Sequence, residues 1–463
     1  MPSALKRTQR RALTLTRSLV DAVKSKLLST KPQSCSPFDD RPSIPKHGIS
    51  RPRQLRGGRI PAHKDGHFIH RLPVELLAHV FVLGAENDPM FPIRISHVCN
   101  KWREVALHTP TLWRRVTLSA QIDMWKERIR RAGACTLDIR LLPWIATRSP
   151  VLERQYLDAM TVQWYLHTVT SLIRRWRSLE IVFIDYSPYL WNAALSGCCT
   201  KSRRAQALEM VDLTLVYRAN DDTKEFCLFS GFAPRLRSVT LDGIRLTWLP
   251  SLYGNLTFLD YTHHGFSVGH QAVHDVISML GISSRLVELR ILFPSKRKVS
   301  APTRFQPVSQ RVILPSLQHL HLRVEGSDIP FELAHLMTLV LTPSLTSLRL
   351  IDVDRRHSAF PSLKSFFYVY AISPSLRTLR IEHGWYDPRM VSPVLCSLPK
   401  LRQLTVRRPH MADEVLNLNT RSRKGHHRTG DFSQSGHLHL HIHPNCREQV
   451  PADQMLNFRP SFR

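Results

Sequence analysis

Leu286-Val287-Glu288-Leu289-Arg290-Ile291, Leu317-Gln318-His319-Leu320-His321-Leu322, Leu345-Thr346-Ser347-Leu348-Arg349-Leu350 and Leu376-Arg377-Thr378-Leu379-Arg380-Ile381 share one pattern, Leu-x-x-hydrophobic-x-hydrophobic. The alternation at its end is that of a short strand with one buried face. Looser copies begin at Leu179, Leu208, Leu236 and Leu256 upstream and at Leu401 downstream, with successive starts 20 to 31 residues apart. A unit of that length holds one short strand and a returning segment. It cannot bury its apolar side alone, so neighbouring units must stack and share a core. One return is legible: Val273, Val276, Ile277 and Leu280 fall on a single helical face. Pro234, Pro315, Pro343, Pro374 and Pro399 each stand two residues before a repeat leucine. Proline stops a helix and pushes the residue ahead of it to extended geometry, which resets the chain where each strand must start.

This period, with a strand opening each unit, is that of leucine-rich repeats. The expected fold is α/β: an N-terminal three-helix unit over residues 68–116, then an irregular horseshoe-like solenoid over 117–409. The Asn that closes the strand segment in regular repeats is missing, and the uneven spacing predicts an uneven horseshoe. A strand is expected over Cys135–Leu142 and a long helix from about Val151 to Arg177, carrying Leu152, Tyr156, Met160, Trp164 and Leu172. Residues 410–434 read as a loop or disordered insertion. Residues 435–463, with Leu438, Leu440 and Ile442, read as a possible capping strand and tail.

The stretch from Ile69 to Val116 has a helical rhythm instead. Pro73 suits a helix start because its missing N–H would have no partner there, and Glu75 meets the positive end of the helix dipole. Leu76, Leu77, Val80 and Phe81 recur at the spacing of one face. After a Pro-bounded linker, Glu86 to Pro92, a second helix is expected. In it Ile95, Val98, Cys99 and Trp102 fall at i, i+3, i+4 and i+7. Pro110 ends that pattern, and Leu112 and Trp113 open a last short turn.

In order, Leu72-Pro73-x-Glu75-Leu76-Leu77-x-x-Val80-Phe81, Ile95-x-x-Val98-Cys99-x-x-Trp102-x-x-Val105-Ala106 and Thr109-Pro110-x-Leu112-Trp113 resemble an F-box. The chain is most similar to the F-box-like proteins with degenerate leucine-rich repeats that are numerous in mushroom-forming fungi. The resemblance implies a helical motif that docks on a Skp-type adaptor, hung in turn from a cullin ubiquitin ligase. It puts the adaptor contacts at Leu72, Pro73, Leu76, Leu77, Ile95, Val98, Cys99, Trp102, Leu112 and Trp113. Some of these must also pack between the helices. Catalysis would belong to the partner enzymes, and no cofactor or metal is implied.

At 463 residues there is ample length for a core, and the hydrophobic share of 43% fits a folded protein. No run of eighteen apolar residues suggests a membrane span. The eight cysteines form no Cys-x-x-Cys pair and read as reduced thiols of an intracellular protein, in cytoplasm or nucleus. The formal charge is +29. Residues 1–67, rich in Pro, Ser, Arg and Lys, read as a solvated basic tail and linker. Such a tail can also bind nucleic acid, an anionic surface or an import receptor. Few acids and the pattern Leu15, Leu19, Val20, Val23, Leu27 give its start some likeness to a mitochondrial transit segment.

Three groups of residues carry functional expectations. In the repeat pattern the third and fifth positions face away from the core, so Arg290, His321, Arg349 and Arg380 should form a column of roughly 14 Å across four strands. Stacked like charges need an answer: an acidic or phosphorylated segment of a target protein would supply it, with Glu288 and His319 beside the column, or else these are exposed strand arginines of an Arg-rich chain that Glu288 and Glu382 neutralise from within. Gly265-Phe266-Ser267-Val268-Gly269 matches the elbow of serine hydrolases, yet any strand-turn-helix unit can hold such glycines, with Ser267 capping a helix. His437, His439, His441 and His443 alternate on one strand face close to Cys446, an arrangement more typical of an exposed strand than of a metal site. The basic clusters Arg174-Arg175-Trp176-Arg177 and Arg407-Arg408 read as solvated edges, so nucleic-acid contact is not favoured. The leading expectation is a target-binding adaptor of a ubiquitin ligase. A basic nucleic-acid-associated scaffold is the alternative, and a hydrolase acting through Ser267 is less favoured.

Overall fold

The computed structural model describes residue 69 and residues 72–417, apart from 87, 144–156, 201–204, 295–308, 356, 371, 388, 391–393, 395–396 and 408–413. The expected tail at 1–67 and the histidine strand at 437–443 with Cys446 lie outside the described residues. Two compact units emerge: one runs to Thr117 and includes Gln121–Thr136, and the other takes Leu118–Ala120 and continues from Leu137.

In the first unit α1 (Val74–Ala85) follows Pro73, which serves as its cap, and buries Leu77, Val80, Phe81 and Gly84. Gly84 is small for a reason: a Cβ there would lie 2.5 Å from the Phe91 ring. Phe91 opens α2 (Phe91–Ser96), with Pro92 tolerated in its first turn rather than ending the linker. The single helix expected through Ile95 and Trp102 is two helices. Cys99 is extended at φ −161°, its Sγ accepts the Trp102 N–H at 3.5 Å, and α3 (Asn100–Leu107) begins behind it. Of the i, i+3, i+4, i+7 set only Ile95 and Trp102 are buried, one from each short helix, and Trp102 meets Phe81 at 5.0 Å. A 3₁₀ turn, Pro110–Trp113, and strand β1 (Arg115–Thr117) follow. Trp113 donates its indole N–H to Ala106 O at 2.8 Å.

The compact unit extends beyond the helical motif expected over 68–116. Helix α4 (Ile122–Ala132) packs on the Pro110–Trp113 turn and buries Trp125, Arg128 and Ala132 at i, i+3 and i+7. Its stripe escapes a hydrophobic search because the middle member is an arginine.

The second unit is built on parallel strands: β2 (Leu137–Leu141), β3 (Trp176–Phe183), β4 (Asp212–Tyr217), β6 (Ser238–Asp242), β8 (Phe258–Thr262), β9 (Glu288–Pro294), β11 (His319–Glu325), β13 (Ser347–Asp352), β14 (Thr378–Glu382) and β15 (Gln403–Arg407). Each lies beside the one before it in the chain. Glu414–Asn417, inside the stretch expected to be a loop, forms β16, antiparallel to β15. Between these strands run α5 (Ala159–Thr170), α6 (Leu190–Leu195), α7 (Pro250–Tyr253), α8 (Gly269–Ile282), α9 (Phe331–Leu339) and α10 (Leu363–Val369). Two small parallel pairs sit alongside, β5 (Glu225–Phe226) with β7 (Arg245–Leu246) and β10 (Val312–Ile313) with β12 (Val340–Leu341).

One row of the main sheet holds Leu179, Leu213, Val239, Leu259 and Leu289, and on through Leu320, Leu348, Leu379 and Leu404, all buried. A backbone device recurs with it. The carbonyl of Val211 accepts the N–H groups of both Arg237 and Ser238, and the same double acceptance is made by Arg237, Thr257, Val287, Gln318, Thr346 and Arg377. Each such carbonyl stands just ahead of its strand and ties the next strand's entry to it.

Register corrects two expected repeat starts. Leu179 and Leu213 align with Leu289, so their units open at Trp176 and Met210 rather than at Leu179 and Leu208. Both are fully buried, Trp and Met filling the place of the first leucine. The expected 151–177 helix is shorter: α5 stops at Thr170 and Arg177 is in a strand. It buries Val162, Tyr165, Leu166 and Val169, whereas Met160 and Trp164 face solvent. The four residues read as the return helix, Val273, Val276, Ile277 and Leu280, are all buried in α8.

Removing the Trp176 side chain would leave a cavity where no polar group compensates. Trp176→Ala should destabilise the protein by about 3–5 kcal/mol, read as a lower urea midpoint at unchanged slope.

Candidate protein-binding surfaces

Packing separates the ten residues that the helical motif singles out. Leu77, Ile95, Trp102, Leu112 and Trp113 lie in the unit's own core. Leu72 and Cys99 are half-buried and Pro73 is exposed. Leu76, one residue off the buried stripe of α1, is 54% exposed, and Val98, in the break between α2 and α3, is 44% exposed. Val74, Met90 and Leu107 are exposed as well. Periodicity gave no signal for these three, since a helical stripe marks what packs inward. Five large apolar side chains left in water on a unit this small are an unfavourable feature in isolation and a useful one against a partner.

The second surface is the face of the main sheet. Asp260, Arg290, His321, Arg349, Arg380 and Thr405 stand side by side on successive strands. One row over are Phe258, Glu288, His319, Ser347, Thr378 and Gln403. The expected stacking of like charges is present, and much of its answer comes from within. Arg290 donates through Nε to Glu288 at 2.7 Å, lies 3.8 Å from Asp260 and covers the Phe258 ring at 4.9 Å. Asp260 also holds Arg323. Burial lifts the Asp260 carboxyl above its usual range in spite of those two guanidiniums. Glu382 is shared, accepting Arg380 Nε at 2.5 Å and lying 3.5 Å from Arg349. Arg349 and Arg380 thus meet on the same carboxylate.

His321 sits between Arg290 and Arg349 and is only 7% exposed. Burial first, then Arg349 and Arg290, push its imidazole down to about 4, while Glu288 at 3.9 Å pulls the other way. The ring is therefore neutral at pH 7 and adds no charge to the column.

At the Gly265–Gly269 turn both glycines have positive φ, +80° and +59°. Ser267 does not cap α8; Val268 occupies that position without a side-chain bond, and the Gly269 N–H is taken by Glu332 at 2.7 Å. The Ser267 hydroxyl donates to Asp275 at 2.7 Å. His263 spends its Nε2 on the Ser267 backbone carbonyl at 2.8 Å, so imidazole and hydroxyl are not paired as a nucleophile and its base must be. Among the described residues no group of three or more His, Cys, Asp or Glu is placed to hold a metal ion. No described helix is long and apolar enough to cross a membrane.

The His321 environment sets a pH dependence. In the unfolded chain the ring takes a proton near pH 6.5, in the folded protein only near 4. Stability should therefore fall as pH drops from about 6.5 to about 4, by at most about 3 kcal/mol. Denaturation midpoints of wild type and His321→Gln across that window check this, the variant showing the shallower slope.

A family model described as F-box-like matches residues 69–119. No curated protein matches the chain. The interval covers α1 to α3, the Pro110–Trp113 turn and β1, so the N-terminal helical unit of this chain carries an F-box-like domain.

Proposed function

We propose that this protein is the substrate-recognition subunit of an SCF-type ubiquitin ligase. In this reading the F-box-like domain docks a Skp-type adaptor, itself bound to a cullin, and the parallel-sheet unit holds the protein to be marked. The observation that carries the reading is a domain matched as F-box-like that leaves Val74, Leu76, Met90, Val98 and Leu107 exposed. F-box proteins are generally adaptors without catalysis of their own, and the reading needs no cofactor and no metal. It is a reading for the cytoplasm or nucleus. Of the ten motif positions, Leu72, Pro73, Leu76, Val98 and Cys99 are those with surface to offer an adaptor; Leu77, Ile95, Trp102, Leu112 and Trp113 act by shaping the domain beneath.

For the second unit we infer an irregular leucine-rich-repeat solenoid, akin to the degenerate repeats of F-box-like proteins in mushroom-forming fungi. Its support is the unbroken strand order, the single row of buried leucines and the seven doubly accepting carbonyls. The target would meet the sheet face at Arg290, His321, Arg349 and Arg380, with Glu288 and His319 beside them. An acidic or phosphorylated segment suits that column because Arg290, Arg349 and Arg380 stand in one row of the sheet and a guanidinium can grip a carboxylate or phosphate with paired hydrogen bonds. The net charge of +29 favours a second reading, a basic nucleic-acid-associated scaffold. Salt-sensitive binding to nucleic acid that survives loss of residues 69–119 would select it.

Affinity purification of the full chain from a eukaryotic lysate tests the first reading. Leu76→Asp should lose adaptor and cullin by about tenfold or more with an unchanged thermal midpoint. Trp102→Ala is unsuitable, because that ring is part of the core. Arg349→Glu combined with Arg380→Glu should keep the adaptor and cullin and lose the target. Unaltered partner sets in both variants would overturn the assignment.

A further inference from the structure

The F-box-like unit contains a charged groove that shares only Leu107 with the exposed apolar side chains named above. Its volume is about 340 Å³, and helices α2, α3 and α4 contribute its walls. Ile93, Leu107, Trp113 and Met124 give it an apolar side. Its charged lining consists of Arg103, Arg128 and Arg131, with His97, against the single carboxylate of Glu127.

Arg128 is the unusual member. It is 4% exposed, yet among the described residues its guanidinium meets only neutral carbonyls: Nη1 donates to Arg115 O at 3.3 Å and Nη2 to Pro89 O. Its Nε is buried without a hydrogen-bond partner. Burial, then the neighbouring Arg115 and Arg131, draw the guanidinium below its ordinary value, and no carboxylate acts to restore it. Glu127 is already engaged. It accepts from Arg130 at 2.6 Å and from Arg131 at 2.7 Å, which together hold its carboxyl down at about 2. A buried cation without a counter-ion is costly, and an anion supplied from outside would remove that cost. The volume lies within the range of small-molecule sites, where an apolar lining with a few convergent polar groups is usual.

We propose that this groove binds a small organic anion, an apolar body bearing one carboxylate or phosphate-type head. The head is taken by Arg128, flanked by Arg103 and Arg131, and the body lies on Leu107 and Ile93. The site is separable from the adaptor reading: it shares Leu107 with the exposed set, but its charged lining and its test do not involve Leu76 or Val98 as part of the site.

The test uses the full chain and two fluorescent probes: 1-anilinonaphthalene-8-sulfonate, an anion on an apolar body, and N-phenyl-1-naphthylamine, the same body without charge. The sulfonate should bind saturably at one site and at least fivefold more tightly than the amine. Arg103→Gln, at an exposed guanidinium, and Arg131→Gln should each weaken it at least threefold. Leu76→Asp should leave it unchanged, whatever that variant does to adaptor capture. Arg128→Met can unfold the unit, so the two flanking variants decide the outcome. Thermal midpoints in phosphate, acetate and chloride at equal ionic strength then sort the head: a rise in phosphate or in acetate that Arg103→Gln abolishes supports the site and names its class. Equal binding of both probes, or sulfonate binding indifferent to both arginine variants with no specific anion effect on the midpoint, overturns the proposal.

Discussion

A strand of five to eight residues with one apolar side cannot stand in water alone, and the larger unit of this protein is an answer to that constraint. Each strand covers its neighbour's leucine. The backbone adds a second tie, because a single carbonyl ahead of each strand accepts two successive amides from the next. That geometry satisfies polar groups at the strand entry, where the chain has just left a turn and has no ladder partner yet. It also explains why prolines are tolerated two residues ahead of the repeat leucines: those positions lie outside the ladder.

The F-box-like unit solves a different problem. Its helices are short, six to twelve residues, too short to persist without tertiary support. Trp102 on Phe81, Phe91 against Gly84, and Trp113 tied to the Ala106 carbonyl supply that support. Helix α4 closes the assembly with Trp125 and with Arg131 stacked 4.4 Å over the Trp113 ring. With so much of the apolar content committed inward, the side chains left outside, Leu76 foremost, are the ones available for recognition.

On the sheet face electrostatics is largely internal. The column of Arg290, Arg349 and Arg380 is answered by Glu288 and Glu382, which the repeat pattern already places beside it, and by Asp260, which register adds. His321 adds no charge to the column, since its own burial and the cations on both sides keep the ring neutral.

Periodicity and spacing were enough to read a helical motif near residue 70 and a run of strand-opening units behind it, because burying apolar side chains imposes the same rhythm wherever it occurs. Turn chemistry was legible too, in the prolines ahead of the strands. The rest required contacts across the chain. Trp176 and Met210 replace a leucine, and no pattern built on leucines finds them; the break at Cys99 preserves the spacing of an unbroken helix; Arg128 holds a core position that hydrophobicity denies it. Which of Leu76 and Leu77 faces a partner, and which arginine keeps its own carboxylate, follow from packing and strand register. Those are relations between residues distant in the chain, and a one-dimensional pattern does not contain them.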